Sequence, residues 1–139
     1  MSNSKRDPAG PFQFQLNAAS GVPIFRQIID QVLVAIASGA LKEGNQLPTV
    51  RQVAVDLSIN PNTVMRAYRE LEIRGILATQ QGTGTFIAPA KVQPDEAERQ
   101  RRLSTLVGEF LARAAGEGFR VQEVVERLNE VMSEQDKRR

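Results

Sequence analysis

Apolar residues recur along most of the chain at the spacing of α-helices, and this pattern predicts five helical segments. The first segment begins near Pro23, whose fixed φ suits the first turn of a helix, and ends before Gly39 and Gly44. Its apolar stripe is wide, which indicates a scaffold helix against which the others pack. The stripe consists of Ile24, Phe25, Ile28, Ile29, Val32, Leu33 and Ile36.

Two short helical segments follow in close succession. Thr49 is placed to cap the first, with Gln52 three residues later to complete a capping box, and this helix ends at Ser58. Asn60 and Pro61 are the residue types favoured at the cap and first position of the second helix. Because only residues 58–60 lie between them, the two helices must cross steeply, as in a helix-turn-helix.

The second helix of this pair has two distinct faces. Its predicted core face is Val64, Ala67, Tyr68 and Leu71, and its other face is Asn62, Met65, Arg66 and Arg69. An α-helix fits the DNA major groove, where asparagine pairs with adenine, arginine with guanine, and methionine contacts the thymine methyl group. The second face therefore indicates DNA recognition, and a polar face that is merely solvated is the alternative.

Two other regions have strand patterns. Residues 12–16 alternate apolar and polar positions, which predicts a short edge strand. Residues 76–80 and 85–87 have strand composition around a turn at residues 81–84, which predicts a hairpin whose glycines could approach a phosphate or the minor groove. A plain hairpin turn is the alternative. A nucleotide-binding glycine loop is disfavoured, because no helix and no phosphate-binding motif follow.

The remaining stretch begins with a linker at residues 89–94 and a charged helix start at Asp95, and residues 116–118 divide it into two amphipathic helices. Two such helices cannot enclose a ligand-sized cavity, whereas the same helices of a second subunit would cover both stripes. Residues 95–139 are therefore predicted to form a dimerisation hairpin, with packing on the same chain as the alternative. The predicted contacts are Leu103, Leu106, Val107, Phe110, Leu111, Val121, Val124, Val125 and Leu128.

Composition limits the chemistry of this 139-residue chain, which is 41% hydrophobic and contains neither cysteine nor histidine. Disulfides and thiolate or imidazole metal ligands are therefore impossible. Metal or acid–base sites made of carboxylates alone remain an alternative, but the acidic residues are dispersed over helix faces, so we expect no enzyme, metal site or cofactor. No secretion signal or membrane-length apolar run is present, which favours a cytoplasmic setting. The polar residues 1–11 are predicted to be a disordered tail.

Net charge does not decide the function, since residues 22–88 contain six basic and five acidic side chains. The placement of individual charges is more informative. Arg51 lies in the first turn of its helix, where the helix dipole disfavours a cation by roughly 0.3 to 1 kcal/mol. A DNA phosphate or base edge would compensate this cost. A surface arginine that reaches into solvent or meets a carboxylate is the alternative.

The combination of these elements resembles the GntR family of bacterial transcription regulators, and the Asn60-Pro61-Asn62-Thr63 helix start resembles its YtrA branch. The resemblance implies a winged helix-turn-helix homodimer that binds an inverted-repeat operator, commonly as a repressor and often of transport operons. It covers residues 12–88. It is carried by Pro23–Ile28, Gly39–Leu41, Gly44, Leu47–Arg51, Asn60–Val64, Arg66–Tyr68, Glu70–Glu72, Gly75 and Gly82–Phe86.

The resemblance also implies DNA contacts at Arg51, Asn60, Asn62, Thr63 and the wing-tip Gly82. With the outer face of the second helix added, the predicted DNA contacts are Thr49, Arg51, Asn60, Asn62, Thr63, Met65, Arg66, Arg69, Gly82 and Thr83. The chain departs from many relatives in two places: Met65 replaces an arginine, and Gln80 and Gln81 replace a basic residue before the wing glycine.

Together these patterns predict a mainly α fold with a small β wing, in which a winged helix-turn-helix over residues 12–88 is followed by a two-helix C-terminal hairpin. The expected function is transcriptional regulation by a homodimer on double-stranded DNA, in the bacterial cytoplasm and at the nucleoid. No small-molecule effector is indicated. The alternative function is a winged-helix module that binds protein through Met65 and its neighbours.

Overall fold

A computed structural model of the protein describes residues 12–91 and 95–137. The predicted tail at residues 1–11 and residues 92–94 of the predicted linker therefore lie outside the described residues. The chain forms two compact units, one ending at Ala90 and the other spanning Lys91–Lys137. The elements are α1 (Ile24–Ser38), β1 (Gln46–Leu47), α2 (Val50–Leu57), α3 (Pro61–Ile73), β2 (Leu77–Gln80), β3 (Gly84–Ile87), α4 (Glu96–Gly116) and α5 (Val121–Lys137).

Helix α1 provides the scaffold of the first unit, as its wide apolar stripe predicts. Ile28, Ile29 and Val32 are almost fully buried, and α1 packs against α3. Pro23 lies at the N-cap, one residue earlier than a first-turn position. Gly39 ends the helix with a φ of +88°, and its N–H donates to the carbonyl of Ile36. A residue with a Cβ is disfavoured at this left-handed φ, which explains why glycine ends the helix.

The predicted edge strand over residues 12–16 is wrong, because this segment pairs with helix α1 and not with a strand. The N–H of Gln15 donates to Gln31 Oε1 at 3.0 Å, and Gln31 Nε2 donates back to the carbonyl of Gln15 at 2.6 Å. Gln27 makes the same pair of bonds with Asn17. A side-chain amide has the donor and acceptor of a peptide group, so it takes the place of a neighbouring strand.

Helices α2 and α3 form the predicted helix-turn-helix with the expected caps. Thr49 Oγ1 accepts the N–H of Gln52 at 3.0 Å, and Asn60 Oδ1 accepts the N–H of Asn62 at 2.8 Å. The side chain of Gln52 returns no bond to Thr49 within the described residues, so only half of the capping box forms. Ser58 ends α2 in the left-handed region with a φ of +54°.

Tyr68 fixes α3 relative to the start of α2. Its ring is buried, and its hydroxyl donates to the carbonyl of Pro48 at 2.7 Å, one residue before the α2 cap. Burial raises the pKa of the Tyr68 phenol above its usual value of 10, since ionisation would leave a charge in an apolar surrounding.

The wing is an antiparallel sheet with the strand order β1-β3-β2. The hairpin strands begin within one residue of their predicted positions, whereas β1 was not predicted. In β1, Gln46 pairs with Phe86, and its Nε2 donates to the carbonyl of Thr83 in the wing turn at 3.1 Å. The Gln46 side chain also occupies the space beside Gly84, which has a φ of +134°. The two-residue strand β1 thus fixes the wing turn.

The second unit is a helical hairpin with the predicted break between its helices. Asp95 caps α4 by accepting the N–H groups of Ala97 and Glu98, and Gly118 has a φ of +92° in the turn. Apolar side chains of both helices are 48 to 62% exposed, namely Leu103, Leu106, Val107, Phe110, Val121, Val125, Leu128 and Met132. In residues 12–91 and 95–137, no helix is long and apolar enough to cross a membrane.

We expect Tyr68→Phe to lower the free energy of unfolding by about 1 kcal/mol near pH 7, because it removes the bond to Pro48 and keeps the ring. The raised pKa in the folded state means that the phenol's contribution is present below pH 10 and is lost as the pH rises further. The difference between the two proteins should therefore shrink above pH 10. Urea unfolding at pH 7 and pH 10.5 measures it, and Tyr68 is the only tyrosine of the chain.

We expect Gly84→Ala to destabilise the protein by about 2 kcal/mol, because alanine is strained at this φ and its Cβ would collide with the Gln46 side chain. Gly82→Ala is the matched control, since Gly82 also has a positive φ but has open space around it. Thermal unfolding of both variants measures the difference. An equal loss of stability in the two variants would show that the Gln46 contact has no energetic weight.

Candidate nucleic-acid interface

The two faces of α3 are separated by burial as the sequence predicts. Val64, Ala67, Tyr68 and Leu71 are at most 3% exposed and lie in the core. The predicted contact residues Asn62, Met65, Arg66 and Arg69 are all exposed on the other side of the helix, and Met65 is 47% exposed. This outer face is therefore accessible along the described part of α3.

The start of α3 has a different set of roles. Asn60 is exposed, and its Oδ1 is already used as the helix cap, which leaves its Nδ2 as a donor. Thr63 is partly buried, so it is less accessible than Asn62 beside it. The cap bond orients the Asn60 side chain at the N-terminus of α3, where a helix dipole favours an anionic partner.

The start of α2 carries two further predicted contacts. Thr49 and Arg51 are both exposed, and the Thr49 hydroxyl accepts the cap bond from Gln52. The Arg51 side chain forms no ion pair within the described residues. The tertiary bond from Tyr68 to Pro48 holds this helix start against α3. The structure therefore fixes the start of α2 relative to the middle of α3.

Arg66 lies against an aromatic ring of α1. Its guanidinium carbon is 3.8 Å from the centroid of the Phe25 ring, which is a cation–π contact. The groove around this contact combines polar and apolar side chains. It is lined by Phe25, Asn62, Met65, Arg66, Arg69, Glu70 and Ile73.

The wing turn places Gly82 and Thr83 at an exposed tip. Gly82 has a φ of +78°, and the N–H of Thr83 closes the turn onto the carbonyl of Gln80 at 2.9 Å. Strand β2 of the wing is tied to α3, since Thr79 Oγ1 donates to Glu72 Oε2 at 2.5 Å. The wing and α3 are thus joined within the same compact unit.

The contacts of three residues near these positions were not predicted. Gln46 holds the wing turn, Tyr68 holds the start of α2, and Phe25 contacts Arg66. The periodicity assigned Phe25 and Tyr68 to the core, but the partners of all three are distant in sequence. No local pattern in the sequence identifies such contacts.

The predicted dimer contacts lie together in the second unit. Leu103, Leu106, Val107 and Phe110 are exposed on α4, while Leu111 is partly buried. On α5, Val121, Val125 and Leu128 are exposed, and Val124 is partly buried. Both helices therefore present continuous apolar faces that their mutual contact leaves largely uncovered.

Comparisons with known proteins agree on one family. The family model described as bacterial regulatory proteins, gntR family, matches residues 25–87. The HTH-type transcriptional regulator YhcF of Bacillus subtilis is 37% identical over 114 residues, which cover 82% of this chain and 90% of that protein. The HTH-type transcriptional repressor YtrA of the same organism is 45% identical over 74 residues, covering 53% of this chain and 57% of that protein.

Solved structures show the same relationship over most of the chain. A transcriptional antiterminator from Listeria monocytogenes has a TM-score of 0.65 at 28% identity. The match covers 88% of this chain and 95% of the antiterminator chain. YtrA from Sulfolobus acidocaldarius, a GntR-family transcription factor, has a TM-score of 0.51 at 31% identity. The match covers 87% of this chain and 97% of the YtrA chain.

Helix pairing, wing and C-terminal helices therefore agree with the sequence matches. The chain belongs to the GntR family of bacterial transcription regulators, which are DNA-binding proteins and not enzymes, and it is similar to the YtrA members of that family.

Proposed function

We propose that the protein is a sequence-specific repressor that binds double-stranded DNA as a homodimer on an inverted-repeat operator. It acts in the bacterial cytoplasm at the nucleoid and needs no cofactor, and a transport operon is a candidate target. The observation that carries this proposal is the division of α3 into a buried apolar face and an exposed face with Asn62, Arg66 and Arg69. The name of the B. subtilis relative, a transcriptional repressor, supports the direction of control.

The exposed face of α3 has the chemistry of base recognition. Arg66 and Arg69 present planar guanidinium groups that pair with the two acceptors of guanine, and Asn62 presents the donor and acceptor that match adenine. Met65 is half exposed and offers an apolar contact for the methyl group of thymine. These residues occupy successive turns of a helix that fits the major groove.

The residues around this face would position the protein on DNA through phosphate contacts and would not contact bases. Arg51 and Thr49 stand at the start of α2, and the exposed tip of the wing carries Gly82 and Thr83. Arginine side chains, hydroxyl groups and backbone N–H groups are the usual partners of DNA phosphates. A phosphate at Arg51 would also offset the unfavourable position of this cation in the first turn of α2.

The dimer rests on the apolar faces of α4 and α5. Large contiguous apolar patches are rare on monomeric proteins and mark surfaces that pack on another protein. Pairing of the two hairpins would bury Leu106 and Phe110 of α4 together with Leu128 of α5. It would also hold two α3 helices about 34 Å apart, the spacing of successive major grooves on one side of DNA.

A protein-binding function is the second candidate, and one feature favours it. Met65 and Ile73 are 47% and 75% exposed and line the same groove as Phe25. Exposed apolar side chains beside an aromatic ring are also typical of a protein-binding surface. In this alternative the arginines of α3 would contact acidic groups of a partner protein.

A fluorescence anisotropy titration separates the two candidates. The full chain is titrated onto a duplex from the region upstream of its own gene and onto a random duplex of equal length, at about 150 mM salt. We expect the specific duplex to bind at least about 1,000-fold more tightly. Equal affinity for both duplexes would remove the regulator proposal and leave the protein-binding candidate.

We expect Arg66→Ala to weaken binding to the specific duplex by about 10- to 100-fold, because a bidentate base contact discriminates by about 1 to 3 kcal/mol. Binding to the random duplex should fall much less. Arg127→Ala is the control, since it removes the same charge from an exposed position on α5. If both variants lose affinity equally on both duplexes, Arg66 contributes only charge.

We expect Leu106→Asp to convert the dimer to a monomer, because it would bury a charge within an apolar contact. Sedimentation velocity at micromolar concentration measures the change. Ala112→Asp is the matched control, since Ala112 is exposed and lies on the opposite side of α4 by helical spacing. An unchanged sedimentation mass in the Leu106 variant would remove α4 from the dimer contact.

A further inference from the structure

The cation–π contact between Phe25 and Arg66 joins the scaffold helix to the exposed face of α3. The guanidinium carbon lies over the ring at 3.8 Å from its centroid. Phe25 itself is partly buried and packs at the edge of the core, so the position of its ring is fixed by the fold. The arginine therefore rests on a ring that is packed against the core, although the arginine itself lies on an exposed helix face.

The acidic residue nearest to Arg66 in sequence, Glu70, does not pair with it. Glu70 lies four residues after Arg66 and four residues before Arg74, so a helix allows it to pair with either arginine. It pairs with Arg74 at 3.6 Å. A glutamate that precedes its cationic partner is the more favourable order on a helix. Arg66 forms no ion pair or side-chain hydrogen bond within the described residues, and its contact is the Phe25 ring.

We propose that Phe25 is a positioning residue that holds the Arg66 side chain ready to read a base, an inference that rests on the proposed DNA-binding function. A cation–π contact uses the face of the guanidinium group, whereas its N–H donors point outward in the plane of that group. The ring and a guanine edge can therefore be contacted at the same time. The contact with Phe25 orients the donors without occupying them.

The effect on affinity comes from the cost of ordering a long side chain. A free arginine loses much of its rotamer freedom when it forms a bidentate contact. An arginine that already rests on a ring has lost part of this freedom before DNA arrives. The ring thus raises the affinity for the matching base and has little effect on phosphate contacts made elsewhere.

The first test observes the free protein by NMR. A proton above an aromatic ring is shifted upfield, so the δ protons of Arg66 should be shifted in the wild type and return to ordinary values in Phe25→Leu. Phe25→Tyr should retain the shift, because tyrosine also presents a ring face. Phe12→Leu is the matched control, since Phe12 is also partly buried at the edge of the core. An unshifted Arg66 in the wild type would overturn the proposal.

The second test links the contact to DNA. We expect Phe25→Leu to weaken specific binding by about three- to fivefold, the effect of an exposed cation–π contact, and to leave binding to a random duplex unchanged. In an Arg66→Ala background the same substitution should have no further effect. A loss that persists without Arg66 would show that Phe25 acts only through packing, and would overturn the proposal.

Replacement of Phe25 by 3,5-difluorophenylalanine separates electrostatics from packing, even if the leucine variant fails to fold. The fluorinated ring keeps nearly the same shape but has a weaker negative face. We expect specific affinity to fall below that of the wild type by no more than about fivefold, the full effect of an exposed cation–π contact, and unchanged affinity would overturn the proposal. Equal binding of both duplexes by the wild type would instead overturn the proposed function itself, with base readout by Arg66 included.

Discussion

The burial of one face of α3 against the scaffold helix α1 is the constraint on which the rest of the first unit depends. Val64 and Leu71 are completely buried, and they meet Ile28 and Val32 of α1 in one core cluster. Since an α-helix has 3.6 residues per turn, burial of these positions determines which side chains face outward. Asn62, Met65, Arg66 and Arg69 are exposed as a consequence of packing, before any partner is considered.

Side-chain hydrogen bonds to the backbone then hold three segments outside the packed helices. Gln27 and Gln31 hold the N-terminal segment, Gln46 holds the wing turn, and Tyr68 holds the start of α2. In each case one side chain satisfies a backbone group that has no strand or helix partner. These directional bonds act together with the buried apolar residues Leu47, Leu77 and Ile87 of the wing strands, which lie in the same core cluster as α3.

Local sequence signals correctly predicted the helix caps, helix ends and helix faces, which depend on interactions between residues close in sequence. The caps at Thr49 and Asn60, the αL end at Gly39 and the core face of α3 depend on residues within one or two turns, and all of them form. The alternation in residues 12–16 correctly places Phe14 inside, but the pairing partner was wrong because two glutamines of α1 replace a strand. The two-residue strand β1 is too short to show any alternation.

The candidate site was less predictable than the fold, because its side-chain contacts join residues that are distant in sequence. Exposure of Asn62, Arg66 and Arg69 follows from helical periodicity, so the outer face could be identified from the sequence. The direction of each side chain depends on contacts between distant residues. Phe25 and Arg66 are 41 positions apart, and periodicity assigns Phe25 only to the core. Their contact becomes visible once α1 and α3 are packed together.

The near balance of charge in residues 22–88 limits the general electrostatic attraction between the winged helix-turn-helix unit and DNA. Six basic and five acidic residues give little general attraction to a polyanion, so affinity must come from a few well-placed groups. Linking two winged helix-turn-helix units in one dimer would raise the effective concentration of the second unit once the first has bound. In the proposed dimer, pairing of the α4 and α5 faces would lower the entropic cost of binding the second unit, and ordering of Arg66 before binding would lower the rotamer cost of its base contact.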